Sequence, residues 1–231
     1  MAKAIETASV HTDPFTYAVL SDIFPDDMVA ELHALLPDDA EYERLRSPDS
    51  LLSRNPFRSS WRLKLDERTP ADPSPRFRAW VAVAEELKKP ATVESYLTAF
   101  RDWLPRGLRA ESLKIGVRLY RDLGGSVIGP HTDGADKIMT CILYLPGASP
   151  RSDSGTRILR HRDPAFTPLP DSEYDHTRYY DAWDLFETVE AVPYQANTAI
   201  AMVRGPRSFH SVAISPDAPP RFSLMYRFIV Q

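Results

Sequence analysis

The chain has 231 residues and a mass of 26.1 kDa, enough for one well-cored domain and short for two. Apolar residues make up 43%, charged residues 26%, and the formal net charge is -4, so no global basic field exists to attract nucleic acid or an anionic membrane. The single cysteine, Cys141, excludes an intrachain disulfide and any metal site built from several thiolates. The start lacks a signal-like apolar run and no 18-residue apolar stretch occurs, so the expectation is a cytoplasmic protein with no membrane and no nucleic-acid partner.

The first 20 residues are weakly patterned. A helix is predicted from Phe24 onward: Pro25 suits a first turn, Asp26 and Asp27 complement the positive helix end, and Met28, Val29, Leu32, Leu35 and Leu36 share one face. Residues 41–56 read as loop. Trp61, Leu63 and Leu65 alternate with Arg62 and Lys64, the period of a strand. Ser74-Pro75 opens a second helix as N-cap and first-turn proline, with Phe77, Trp80, Val81, Ala84 and Leu87 as its apolar stripe and Pro90 as its stop. Thr92 is expected to cap a third helix, with Val93, Tyr96, Leu97, Phe100 and Leu104 inward.

Beyond residue 110 the period changes to two. Leu113, Ile115, Val117 and Leu119 alternate with Lys114, Gly116, Arg118 and Tyr120, and further strands are predicted at 138–145, 156–160, 186–192, 198–203, 208–214 and 222–230. Gly124-Gly125, Pro146-Gly147, Gly205-Pro206 and Pro219-Pro220 mark turns, and the excess of prolines (21) over glycines (9) fits many short elements. Helices first and short strands later give an α+β fold with a sandwich or barrel in the second half, read as one domain spanning 1–231 with helical support over 1–110. Residues 164–184 are polar and tyrosine-rich, the composition of a long loop over one end of the barrel.

His-X-Asp occurs three times, at His11-Asp13, His131-Asp133 and His161-Asp163, so the motif alone selects nothing. On a strand, positions i and i+2 face the same side, and an imidazole and a carboxylate can meet one ion there. A second histidine from a distant strand would complete three ligands on one face of an octahedron, leaving the remaining positions open. The His11 pair lies near the start without a patterned strand before it, and the His161 pair reads as a strand end followed by the Asp163-Pro164 turn. The His131 pair stands between two strong strands; His210 comes 77 residues after Asp133, and Arg221-Phe222-Ser223 begins eleven residues after His210. Arg221, Ser223 and Met225 share one strand face, where an arginine fork can grip a carboxylate with help from a hydroxyl. His33 and His176 read as structural histidines and Cys141 as a small buried apolar residue. Arg54, Arg58, Arg62, Arg118, Arg204 and Arg207 are either contacts for an anionic substrate or solvated surface charge.

The segment from Tyr120 through Gly124-Gly125 to His131-Thr132-Asp133 resembles the Fe(II)- and 2-oxoglutarate-dependent dioxygenases, in particular their prolyl-4-hydroxylase-like branch. Thr140-Cys141-Ile142-Leu143-Tyr144-Leu145 is similar to that branch's next strand, and Ser154-Gly155-Thr156 to its Gly-Gly-x-Leu turn with one glycine replaced. Ser208-Phe209-His210-Ser211-Val212 is similar to the distal-histidine strand, Arg221-Phe222-Ser223 to its Arg-x-Ser, and Asn197 stands where many relatives have glycine. The resemblance covers roughly residues 110–230 and implies a double-stranded β-helix, a jelly-roll or cupin-like barrel. It implies His131, Asp133 and His210 as iron ligands, Arg221, Ser223, Tyr144 and Tyr120 around 2-oxoglutarate, and O2 as the oxidant. A halogenase of this type has a small residue in place of the carboxylate, so Asp133 implies hydroxylation or another oxidation without halogen. The implied activity is oxidation of an unactivated C–H bond of a small molecule, such as an amino acid or natural-product intermediate, with release of succinate and CO2. The alternatives are hydroxylation of a peptidyl residue in a protein, or a non-catalytic metal-binding jelly roll, against which the Arg-x-Ser argues.

Overall fold

The computed structural model describes residues 2–44, 60–65, 73–145, 151, 154–170 and 178–230. Its helices are α1 (Ala2–Glu6), α2 (Asp26–Ala34), α3 (Pro75–Lys88) and α4 (Pro90–Ala99). Its strands begin with β1 (Val10–His11), β2 (Tyr17–Ser21), β3 (Glu43–Arg44) and β4 (Ser60–Lys64). They continue with β5 (Leu113–Asp122), β6 (Val127–His131), β7 (Lys137–Tyr144) and β8 (Arg157–His161). The last four are β9 (Phe186–Ala191), β10 (Thr198–Val203), β11 (His210–Ala213) and β12 (Arg221–Val230).

The strands form two sheets, ordered β1-β2-β10-β7-β12-β5-β4-β3 and β6-β11-β8-β9, with antiparallel pairing throughout. From β5 onward the chain alternates between the sheets, except that β8 and β9 lie side by side in the smaller one. This is the double-stranded β-helix within an α+β fold.

Period-two patterning sets which face of the large sheet is dry. Met139, Cys141 and Leu143 of β7, and Leu224, Tyr226 and Phe228 of β12, pack against Phe77, Trp80, Ala84 and Leu87 of α3 and Val93, Tyr96 and Leu97 of α4. Buried polar tips on this side find partners: Trp80 Nε1 donates to the Leu35 carbonyl and the Tyr226 hydroxyl to the Leu87 carbonyl. The opposite face of the same strands looks into the barrel. There Ile142, Tyr144, Ile158, Val192, Tyr194, Ile200 and Met202 form a second apolar cluster.

The helix starting at Ser74-Pro75 is present, and the Ser74 side chain accepts from the Phe77 amide at 3.0 Å. The next boundary differs from expectation. Pro90 does not merely stop α3; it opens α4 at the first-turn position, and Thr92 lies inside the helix with its hydroxyl on the Glu86 carbonyl. A proline at this position gives up an amide that has no intrahelical partner and supplies a preset φ. The first 110 residues also contribute strands to both edges of the large sheet. β2 has no visible alternation because Tyr17, Ala18 and Leu20 are all buried beside β10, and continuous burial removes the period. β6 contains Gly129 and Pro130, and Pro130 is tolerated because β6 is an edge strand that, among the described residues, pairs with β11 alone.

Asn197 has a left-handed backbone with φ 58°. Its side-chain amide accepts from the Phe24 amide at 2.8 Å and donates to the Phe24 carbonyl at 2.7 Å. Asparagine therefore meets the turn's backbone demand and also ties the segment before α2 to the barrel, which glycine could not do. Among the described residues, no helix is long and apolar enough to cross a membrane.

Candidate metal centre and co-substrate pocket

Three strand ends build the centre. His131 closes β6, Asp133 lies two residues on in the turn to β7, and His210 opens β11 directly opposite His131 in the β6–β11 ladder. One ligand atom from each of His131, Asp133 and His210 lies within 4.8 Å of the others, and the imidazole centroids are 4.3 Å apart. His131 Nδ1 lies 2.9 Å from the Gly129 carbonyl, and His210 Nδ1 lies 3.0 Å from the Ser208 carbonyl. A ring that donates through Nδ1 carries its lone pair on Nε2, so both histidines are held in the tautomer that can ligate an ion. Burial pushes the His210 imidazole below its ordinary value despite the pull of Asp133, which keeps it neutral as a ligand must be.

Asp133 is held from both sides. Lys137 forms an ion pair with Oδ1, and the Thr140 hydroxyl donates to Oδ2 at 2.6 Å. Burial alone would raise this carboxyl. The charge of Lys137 and the hydrogen bonds from Lys137 and Thr140 outweigh it and hold the group below the usual carboxylate range. Arg204 Nε donates to the Asp133 carbonyl at 3.4 Å. Two imidazoles and one carboxylate, with no thiolate, form a donor set suited to a non-haem Fe(II) ion. Cys141 points away, onto the helix-covered face.

The three residues line a cavity of about 310 Å³ inside the barrel, together with Tyr120, Arg221 and Ser223. Arg221 is buried, with 3% of its surface exposed. Its Nη1 donates to Asp122 Oδ2 at 2.8 Å and to the Ser223 hydroxyl at 3.3 Å, while Nε and Nη2 are buried without a hydrogen-bond partner within 3.5 Å among the described residues. A guanidinium edge left in that state fits the two oxygens of a carboxylate. Tyr144 stands beside this group but does not line the cavity. Its ring centroid is 5.4 Å from the Arg221 guanidinium carbon. Its hydroxyl donates to Thr156 Oγ1 at 2.8 Å and accepts from the Thr156 amide at 2.9 Å. Gly155 permits that arrangement, because a Cβ there would collide with the Val192 carbonyl.

The other His-X-Asp copies have local duties. His11 stacks on Tyr17, with centroids 4.8 Å apart, and Asp13 pairs with Arg160. His161 ends β8, where Asp163 accepts from the Ala165 amide and turns the chain. His33 lies on α2, and Arg54, Arg58 and His176 lie outside the described residues. Arg118 lines the cavity, Arg62 stands opposite Tyr120 on β4, and Arg207 donates to the Phe166 carbonyl.

Four residues at the site were not singled out by sequence. Lys137 and Thr140 follow Asp133 at spacings that the strand brings back to it. Asp122 shares a strand face with Tyr120 and directly opposes Arg221 across the β5–β12 ladder. Tyr180 packs on His131 with a centroid distance of 5.4 Å. Its backbone crosses β6 where Gly129 has no side chain, and a Cβ at Gly129 would collide with the Tyr180 carbonyl. The described part of the 164–184 stretch thus reaches the metal end of the cavity.

The chain matches no protein-family model and no curated protein. Solved structures do match it. A Pseudomonas putida prolyl-4-hydroxylase superposes with a TM-score of 0.55 at 13% identity, over 100% of this chain and 98% of that one. A Trichoplax adhaerens prolyl hydroxylase, solved with a peptide fragment of the hypoxia inducible factor oxygen degradation domain, gives 0.56 at 11% identity, over 99% and 89%. HygX from Streptomyces hygroscopicus, solved with nickel, 2-oxoglutarate and hygromycin B, gives 0.53 at 13% identity, over 93% and 83%. The chain therefore has the fold shared by prolyl-4-hydroxylases and 2-oxoglutarate oxygenases, with a His-Asp-His cluster inside its barrel.

Proposed function

We propose that this protein is an Fe(II)- and 2-oxoglutarate-dependent oxygenase that hydroxylates an unactivated C–H bond of a small molecule. The observation that carries the reading is the pairing of two features in one cavity: the convergent His131, Asp133 and His210, and the partnerless Nε–Nη2 edge of Arg221. A metal holder alone has no use for a buried guanidinium edge, whereas a chelating 2-oxo acid with a distal carboxylate needs both ends.

In this reading His131, Asp133 and His210 hold the iron, which with bound 2-oxoglutarate and O2 supplies the oxidising chemistry that ends in succinate and CO2. Lys137 and Thr140 orient the Asp133 carboxylate, and the Gly129 and Ser208 carbonyls orient the two imidazoles. Arg221 and Ser223 receive the distal carboxylate, with Tyr120 lining the path between. Tyr144 supports the guanidinium from the side. The cavity volume of about 310 Å³ lies within the range of small-molecule sites, and Tyr180 narrows its metal end, which favours a compact substrate over a peptide strand.

The test is 2-oxoglutarate turnover, followed as succinate, with Fe(II) and a panel of amino acids and natural-product intermediates. Wild type should release succinate, slowly alone and faster with a true substrate, and His131→Ala should release none. Equal release by His131→Ala in iron-replete buffer would overturn the reading.

A further inference from the structure

Among the described residues, the hydrogen bonds that hold Arg221 within 3.5 Å run through Nη1. Nη1 is shared between Asp122 Oδ2 and the Ser223 hydroxyl, and the rings of Tyr144 and Tyr194 flank the guanidinium carbon at 5.4 and 5.8 Å. A guanidinium is planar and rigid, so anchoring Nη1 sets the direction of the Nε–Nη2 edge. The anchor is itself well fixed, because Asp122 and Arg221 are directly paired positions of β5 and β12. Both side chains are 4% exposed, so the ion pair is a buried one. Removing one partner of such a pair leaves a charge that water cannot reach. Asp122 also lines the cavity, so it lies at the end where a distal carboxylate would arrive.

We propose that Asp122 is a positioning residue for the co-substrate: it holds Nη1 of Arg221 so that the Nε–Nη2 edge presents a two-pronged site to the distal carboxylate of a 2-oxo dicarboxylate. The inference rests on the function proposed above. Asp122 touches neither iron nor co-substrate in this role; it acts through Arg221. Its negative charge keeps the buried arginine balanced before the co-substrate arrives. The aspartate thus trades some attraction for the incoming dianion against a fixed geometry, and the geometry dominates because a charge-assisted fork depends on alignment.

The experiment uses the full chain loaded with Mn(II), which binds the same donor set without turnover, and measures binding of 2-oxoglutarate and pyruvate by calorimetry. Pyruvate carries the chelating 2-oxo acid group and lacks the distal carboxylate. Asp122→Ala should raise the 2-oxoglutarate Kd by roughly 10-fold or more, the scale of one hydrogen bond to a charged group. Asp122→Asn keeps the shape and an acceptor oxygen, so it should fold and recover part of the loss. Mn(II) affinity and pyruvate affinity should be unchanged in both. Unchanged or tighter 2-oxoglutarate binding in Asp122→Asn and Asp122→Ala would overturn the inference. So would an equal weakening of pyruvate, which would mark a general structural role. Failure of wild type to bind Mn(II) and 2-oxoglutarate would overturn the proposed function itself, and the inference with it.

Discussion

Strands β7 and β12 present two different environments on their two faces. Outward, Met139, Cys141, Leu143, Leu224 and Phe228 meet the helices in a dry core. Inward, Thr140, Arg221, Ser223 and Arg227 face a cavity lined with charge. Both faces are buried, so burial alone does not separate scaffold from site. What separates them is whether the buried groups are complete: the outer side chains are satisfied by packing, while Arg221 keeps an open edge. The outer face gives rigidity, and the inner face uses it to hold polar groups that a softer barrel would let collapse onto each other.

Substitutions on each face should therefore fail differently. The largest effect belongs to the proposed metal ligands. Asp133→Ala and His131→Ala should each abolish Fe(II) binding and substrate-dependent succinate formation, read by metal titration and succinate release, with the chain still folded. On the outer face, Leu143→Ala should cost about 2–5 kcal/mol of stability by opening a cavity, read as a lowered urea midpoint. Its 2-oxoglutarate requirement per folded molecule should not move. Arg221→Lys keeps a cation for Asp122 but loses the fork, so it should raise the 2-oxoglutarate requirement by about 10-fold while Fe(II) affinity stays the same.

The smallest effect concerns Cys141. Burial pushes its thiol up to about 12, against the hydrogen bond shared with Tyr96. A thiol raised in the folded state stays protonated while an unfolded one ionises near ~8.5. Its contribution to stability is then complete below that value and is lost as pH rises toward the folded value. Folded protein at pH 8 should resist thiol alkylation and react only in denaturant. Rapid alkylation of native protein would place the thiol outside the dry face.

Much of the large sheet was legible because β5 and β12 alternate apolar with polar residues and β7 and β10 are apolar runs. The β10 residues 198–203 and the Arg221, Ser223, Met225 face of β12 follow the sequence reading directly. β2 was not legible, since burial on both faces erases alternation. β6 was hidden by Gly129 and Pro130, and its glycine is there for the backbone of Tyr180, a contact no local pattern encodes. At the site, His131, Asp133 and His210 converge and Arg221 lines the same cavity, and spacing along the chain is what singled them out from three copies of His-X-Asp. Asp122 stayed invisible because its meaning depends on a residue 99 positions away across a ladder. Lys137 looked like one more surface cation until the turn after Asp133 brought it back to the carboxylate.

The central claim is that one cavity holds a metal at one end and grips a dicarboxylate at the other. Anaerobic addition of Fe(II) and then 2-oxoglutarate to the purified chain, followed by visible absorption, tests it most directly. A charge-transfer band of the iron–2-oxo acid chelate should appear with wild type, require more 2-oxoglutarate with Arg221→Lys, and be missing with His131→Ala. No band with wild type at saturating additions, or the same band with His131→Ala, would contradict the account.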